Sequence, residues 1–334
     1  MLERIGLATG YSPTMPVKQL VPWVSLAEAR GFEIAFFSER LMTNRDAITA
    51  ISAFALSTSK IKLGFTQIAR IRSPLVYAQT LASLDELSGG RIIVSFGACT
   101  NSHAQRNGLH FVNPALSLKE NTELVRSLLS GQNTSFKGET VNIENVKLAF
   151  KPLREKIPIW FAAISRTGLR LAGALADGVL LDATCSPEYS KHAIEEVRRG
   201  ARDAGRTLDD FEIAQLIVAA VSNNPSESIA AVKTEVASKF IPQELNNIAS
   251  RRRVGEPAIT ENILEKFRTA YESEGEIGIA KAAPTDLIRT LTATGSADQV
   301  RSRIRDYRDA GVRLPIVRPA NDLQMNAVIE AVST

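Results

Sequence analysis

Residues 157–182 read IPIWFAAISRTGLRLAGALADGVLLD, and their pattern decides the fold. Ile157, Ile159, Trp160, Phe161 and Ala162 form a short apolar run that stops at Ser165. From Gly168 an apolar stripe at helical spacing runs through Leu169, Ala172, Leu175 and Ala176, and after Gly178 a second apolar run resumes at Val179. Strand, turn, short helix and strand make one βα unit. The turn Ser165-Arg166-Thr167-Gly168 has two readings. Ser165 or Thr167 is an ordinary helix cap. Alternatively, unpaired N–H groups, two hydroxyls and a guanidinium at a helix N-terminus form a seat for a phosphate.

The same alternation extends outward in both directions. Apolar runs predict strands over 4–8, 33–37, 62–68, 91–96, 157–162, 178–181, 212–220 and 314–317. Helical stripes lie between them, such as Val17, Leu20, Val24 and Ala27, then Leu81, Leu84 and Leu87, and later Val300, Ile304 and Tyr307. Gly31, Gly89-Gly90 and Gly311 each stand just before a strand, where a helix needs a left-handed C′ residue. Eight buried strands, each with a helix, predict an α/β fold of the closed (βα)8 TIM-barrel type rather than an open sheet. Two insertions interrupt the repeat: 138–150, which alternates like a hairpin, and 242–294, with helical pieces near 259–271 and 285–291. No Pro/Gly/Ser-rich linker divides the chain, so 1–334 reads as one domain.

Composition narrows the function classes. A net charge of +4 is small and spread along the chain, and its densest basic run, Arg251-Arg252-Arg253, has no interleaved aromatic residues. It reads as a solvated helix end, and a nucleic-acid partner is not expected. No apolar run approaches membrane-spanning length, so no membrane partner is expected either. Glu3 and Arg4 beside a short apolar run argue against a targeting segment, and Cys99 and Cys185 have no paired spacing, which points to a reducing cytoplasm and no structural metal.

In such a barrel the chemistry sits at the C-terminal strand tips. Those tips are Ala8-Thr9-Gly10, Ser38-Glu39-Arg40, Thr66-Gln67 through Arg70 and Arg72, Gly97-Ala98-Cys99-Thr100, Ser165 to Gly168, Asp182 to Cys185, Ser222-Asn223 and Arg318. They are polar but hold only Glu39 and Asp182 as carboxylates. His192 falls mid-helix, whereas His103 and His110 fall in the loop after the fourth strand. Cys99 has no evident histidine partner and reads as packing, Asp85-Glu86 lies at the far end of the barrel, and Glu120 begins a helix. Dinucleotide, phosphate-loop, zincin and serine-hydrolase motifs do not occur. A scarce acid–base set with a phosphate seat suits a cofactor that carries the chemistry while the protein positions it.

With these segments in order, the chain resembles the bacterial luciferase-like superfamily, in the branch of coenzyme F420-dependent oxidoreductases that includes methylenetetrahydromethanopterin reductase. The matching stretches are AEARGFEIAFFSER, LASLDELSGGRIIVSFGA, LVRSLLSG, IPIWFAAISRTGLRLAGALADGVLL, VRRGARDAGRTLDDFEIAQ and TGSADQVRSRIRDYRDAGV. The resemblance implies a luciferase-like TIM barrel, usually a homodimer, binding F420 or FMN at the strand C-termini and acting on a small organic substrate. It places the phosphate turn on Ser165, Arg166, Thr167 and Gly168, and the ring-contacting tips on Ser38-Glu39, Thr66-Gln67 and Gly97-Ala98-Cys99. Glu39, Gln67 and His103 are the catalytic candidates. A non-prolyl cis peptide is implied near Thr66-Gln67.

The chain departs from that pattern in places. Glu39-Arg40 stands where these enzymes often show Asp-His, and Ser165-Arg166 where the turn commonly reads Gly-Pro. Leu7, Ala8 and Thr9 stand where the methylenetetrahydropterin reductases carry a glutamate. The leading expectation is a flavin- or deazaflavin-dependent hydride-transferring oxidoreductase. The alternatives are an FMNH2-dependent monooxygenase fed by a separate flavin reductase, and a barrel that has lost its chemistry and serves as a binding protein.

Overall fold

Short strands whose two faces are both apolar have to be covered on both sides, which is the condition a closed barrel meets. In the computed structural model, which describes residues 3–10, 14–99, 104–105, 108–110 and 112–333, that closure is what the chain adopts. The strands are β1 (Gly6–Thr9), β2 (Ile34–Phe37), β3 (Lys62–Ile68), β4 (Ile92–Gly97), β5 (Thr134–Lys137), β6 (Asn142–Val146), β7 (Ile159–Ala162), β8 (Gly178–Leu181), β9 (Glu212–Val221), β10 (Ala293–Gly295) and β11 (Leu314–Pro319). The helices are α1 (Val17–Ala29), α2 (Ala47–Ser57), α3 (Pro74–Ser88), α4 (Pro114–Leu129), α5 (Arg166–Leu175), α6 (Pro187–Asp203), α7 (Pro225–Ala237), α8 (Leu245–Val254), α9 (Glu261–Ala282), α10 (Thr285–Leu291), α11 (Ala297–Asp309) and α12 (Met325–Val332). Strands β1, β2, β3, β4, β7, β8, β9 and β11 pair in parallel in that order, and β11 returns to β1. The (βα)8 barrel expected from the sequence is present.

Strand alternation divides the apolar residues into two layers. Ala8, Ile34, Phe36, Ile93, Trp160, Leu180, Leu216, Val218 and Ile316 face inward, and Leu7, Phe37, Phe65, Val94, Phe96, Phe161, Val179 and Leu181 pack outward against the helices. The interior is filled rather than hollow. Phe36 and Trp160 stack with centroids 6.3 Å apart, and a Cβ at Gly64 would lie 2.3 Å from the Phe36 ring. Burying one such aromatic ring contributes roughly 2–3 kcal/mol, so the small residue opposite it is part of the packing. Ligands are therefore confined to the two ends.

The N-terminal end is closed by charge. Arg4 bridges Glu33 and Glu212 at 2.6 Å each, and Lys62 reaches Glu33 at 2.9 Å. The Arg4 guanidinium outweighs burial and holds the Glu33 carboxyl down at about 2. A carboxyl lowered from the ordinary value of about 4.3 adds stability above that pH and loses it as pH falls toward the folded value. Stability should therefore drop between about pH 5 and pH 2, and Arg4→Met should flatten that drop, as urea titrations across the range would read.

The insertions differ in detail from expectation. The hairpin is β5 and β6, four residues earlier than 138–150, and its turn is tied to α4 through Glu120. That carboxylate accepts the N–H groups of Glu139 and Thr140 at 2.8 Å and the Thr140 hydroxyl at 2.7 Å. In 242–294 the expected helical pieces occur within α9 and as α10, but α8 and β10 are additions. β10 pairs with the outer end of β9, Ala293 opposite Ala219. Ile248, Ile259, Phe267, Ile279 and Ile288 of the insertion join the same apolar cluster as Val218 and Ala220 near the C-terminal end of β9, which seats the insertion on that side of the barrel. No described helix is long and apolar enough to cross a membrane.

Candidate functional site at the strand tips

The first three tips are stitched by polar side chains. Asn44 donates through Nδ2 to the carbonyls of Gly10 at 2.7 Å and Ser38 at 2.8 Å, and its Oδ1 accepts the Arg40 N–H at 2.7 Å. The Glu39 N–H donates to Thr66 Oγ1 at 2.7 Å, while the Glu39 carboxylate accepts the Ala47 N–H at 2.7 Å. Glu39 thus caps α2 beside Asp46 and sets the spacing of β2 and β3.

Ser38, Thr66 and Gly97 lie on the inward side of the pleat. Gln67 does not. One residue past Thr66, its amide turns outward, is 2% exposed, and lies against Tyr77, whose hydroxyl is 3.4 Å from Gln67 Oε1. Gln67 can offer the mouth its backbone alone. The cis peptide implied near Thr66-Gln67 is corrected: among the described residues every peptide is trans. The register Thr66–Ser95, Gln67–Phe96 and Ile68–Gly97 runs unbroken through that point, which holds the chain extended.

At the fourth tip the backbone bends instead at Cys99, whose φ is 56°. Arg70 donates through Nη2 to the Cys99 carbonyl at 3.1 Å and through Nη1 to the His110 carbonyl at 3.0 Å, fixing the loop. Burial pushes the Cys99 thiol up, against the opposing effect of Arg70, so it stays protonated at neutral pH. His103 lies outside the described residues. Among the described residues, and apart from its two chain neighbours, a Cβ at Gly97 would have one atom within 4 Å, the Gln67 carbonyl oxygen at 4.0 Å. Among the described residues the half-buried inner face at this tip is therefore flat and open.

The β7–α5 turn builds as its sequence indicates. Ser165 caps α5, its Oγ accepting the Gly168 N–H at 3.2 Å, and its carbonyl accepts the Leu169 N–H at 2.8 Å. The N–H groups of Arg166 and Thr167, in the first turn, have no acceptor within the helix. The Arg166 guanidinium leans away toward Glu196 of α6 at 3.8 Å, a carboxylate it shares with Arg170 at 2.6 Å. The α5 N-terminus thus presents backbone N–H groups and the Thr167 hydroxyl more than arginine charge.

The later tips hold the feature that sequence reading missed. Arg251, expected to be solvated, is 2% exposed and donates through Nη2 to Asp182 Oδ2 and through Nη1 to the Thr184 carbonyl at 2.9 Å and Oγ1 at 3.1 Å. Arg252 pairs outside with Glu261. Burial alone would raise the Asp182 carboxyl, but Arg251, with Lys239 and Arg318, outweighs it and holds the group well below the usual carboxylate range. Glu235 of α7 stands in the same relation to Arg318 at 2.5 Å and Lys239 at 3.5 Å, and it too is lowered. The Asp182–Arg251 pair joins residues 69 positions apart, a distance over which periodicity carries no signal.

The luciferase-like monooxygenase family description matches residues 2–314. The 5,10-methylenetetrahydromethanopterin reductase of Archaeoglobus fulgidus is 29% identical over 304 residues, covering 90% of each chain. The 5,10-methylenetetrahydromethanopterin reductase of Methanopyrus kandleri is 28% identical over 88% of this chain and 86% of its own. Among solved structures, the coenzyme F420-dependent tetrahydromethanopterin reductase from Methanopyrus kandleri superposes with a TM-score of 0.84 at 24% identity, over 100% of this chain and 98% of its own. That likeness shows the same fold.

Proposed function

The chain belongs to the luciferase-like monooxygenase family, and from that premise we propose that it is an oxidoreductase whose chemistry is supplied by a bound ring cofactor, F420 or FMN. The observation that carries this reading is the open, flat face at Gly97, set at the same barrel end as the α5 N-terminus. A planar ring with a phosphate-bearing tail fits that pair: a Cβ at Gly97 would project into the space the ring needs. When bound, either ring supplies a centre that exchanges a hydride with a small organic substrate.

The protein's own residues then bind and orient. The Arg166 and Thr167 N–H groups, at the positive end of the α5 dipole, hold the phosphate. Thr66 and Glu39 fix the β2 and β3 tips at the ring's edge, and Ser38, Ala98 and Cys99 complete its border. Gln67 contributes backbone, and Glu39 and His103 are the candidates for proton handling. The names of the A. fulgidus and M. kandleri relatives favour a reductase, although this chain lacks a glutamate at the β1 tip.

The second reading, an FMNH2-dependent monooxygenase with a separate flavin reductase, is favoured by the family description. Product formation that requires oxygen and supplied reduced FMN would select it. On either reading we propose one domain over residues 1–334, which a match over 90% of this chain and of the A. fulgidus relative supports, working in the cytoplasm as a pair of copies. Titration with F420 and with FMN, followed by fluorescence, should give micromolar binding for one of them. If neither binds below about 100 μM, some 3 kcal/mol short of a micromolar site, the reading fails.

A further inference from the structure

The charges at the β8 and β11 tips are not used by the ring and phosphate positions proposed above. Strand alternation turns Asp182 inward, two residues after Leu180 of the barrel interior. Its flanks are closed: Ala183, Thr184 and Cys185 are 2%, 0% and 0% exposed. Arg251, Lys239 and Arg318 crowd it as well. Solvent nonetheless reaches 28% of the Asp182 side chain, as expected for a group at the floor of a cleft. The cations lie behind, with Arg251 2% exposed, and the carboxylate stands in front. Asp182 Oδ1 accepts the Ala183 N–H at 2.8 Å and Oδ2 the Arg251 bond, which leaves each oxygen with a further acceptor direction.

We propose that Asp182 is a specificity-determining residue of the barrel mouth, accepting hydrogen bonds from an N–H or O–H donor group of the substrate, and that Arg251 of the inserted helix α8 is its positioning residue. Glu235 repeats the arrangement on the adjoining wall. Its side chain is 18% exposed in front of Arg318 at 3%, with Lys239 at 11% beside it. Arg40 of the β2 tip acts on Glu235 from across the mouth. Glu256, next to α8, is occupied by the N–H groups of Ser186 at 2.8 Å and Ala258 at 3.2 Å, and so anchors the insertion instead. Because Arg251 and Arg318 are 2% and 3% exposed and spend their charge on Asp182 and Glu235, the more exposed groups of this wall are carboxylate oxygens, which meet a hydrogen-bond donor and offer nothing to a carboxylate. Anionic parts of any bound molecule are left to the α5 end.

The inference rests on the ring-cofactor reading for the identity of the mouth as a substrate site, and its test separates the two. Acetamidine and acetate have the same shape and opposite charge. Each is titrated into the protein with and without F420 or FMN, and binding is followed at the backbone amides of Ala183 and Thr184 by NMR. Acetamidine should shift both amides saturably and acetate should not. Asp182→Asn should weaken acetamidine at least ten-fold while cofactor affinity stays within two-fold. Arg251→Met should make acetamidine binding fall as pH drops from 7 to 5, because burial of Asp182 is then opposed by Lys239, the Ala183 N–H and Arg318 without the largest opposing charge, with Cys185 and Tyr189 as the other facing groups. The wild type should be flat over that range. Acetate binding as well as acetamidine, or Asp182→Asn binding acetamidine like the wild type, would overturn the proposal. An intact acetamidine response without any cofactor binding would sink the functional reading and leave Asp182 in its role.

Discussion

Gly97→Leu should leave the protein folded and abolish cofactor binding, lowering affinity at least about 100-fold, or some 2.7 kcal/mol. The reason is the unusual surroundings of this glycine. Gly97 ends β4, faces inward, and pairs with Ile68 on one side and Ala162 on the other. Its φ is not in the left-handed region, so a side chain meets no backbone strain. Among the described residues beyond its chain neighbours, a Cβ would touch nothing closer than the Gln67 carbonyl at 4.0 Å. The leucine would instead fill the space above the β3, β4 and β7 tips. Melting within about 2 °C of the wild type, together with lost F420 and FMN binding, is the expected pair of results. Unchanged affinity would mean that the ring does not lie over this tip.

Gly200→Ala should act in the opposite way, on the fold first. Helices α5 and α6 touch backbone to backbone: a Cβ on Gly200 would lie 1.9 Å from the Arg170 carbonyl oxygen, and one on Gly173 1.9 Å from that of Val197. Neither atom can give, because both carbonyls belong to helices that also pack on the sheet. The pair must part by about an ångström, and close-packed interiors transmit such shifts. Overpacking of this kind costs roughly 3 kcal/mol or more, which lowers the melting temperature by about 5–10 °C in a chain of this size. The cofactor seat should suffer too, since α5 carries Ser165 and its first-turn N–H groups. Thermal melts and urea titrations check the first part. A melting temperature close to the wild type would show that α5 and α6 are not locked together at these glycines.

These two glycines show what sequence can and cannot carry. Apolar period and C′ glycines place the barrel strands, and Ser165 caps α5 as its neighbours indicate. Helix α8 is missed because LNNIASRRRV has no apolar stripe: it buries Ile248, Val254 and the charged Arg251. Strand β10, three residues long, is below the length at which alternation is visible. Gln67 was placed at the mouth by its position at a strand tip, yet one step of the pleat turns its amide outward onto Tyr77. Arg251 reads as part of a solvated run, because nothing local announces that Asp182 waits for it across the fold. The tips themselves are legible as a set. Which of their side chains face one another is decided by closure of the barrel and by the insertion over it.

The most direct measurement is a structure of the protein grown with F420 and, separately, with FMN. The account predicts one of them bound with its ring over Gly97 and its phosphate within hydrogen-bond reach of the Arg166 and Thr167 N–H groups. A phosphate held elsewhere, or no bound cofactor at millimolar concentration, would contradict it.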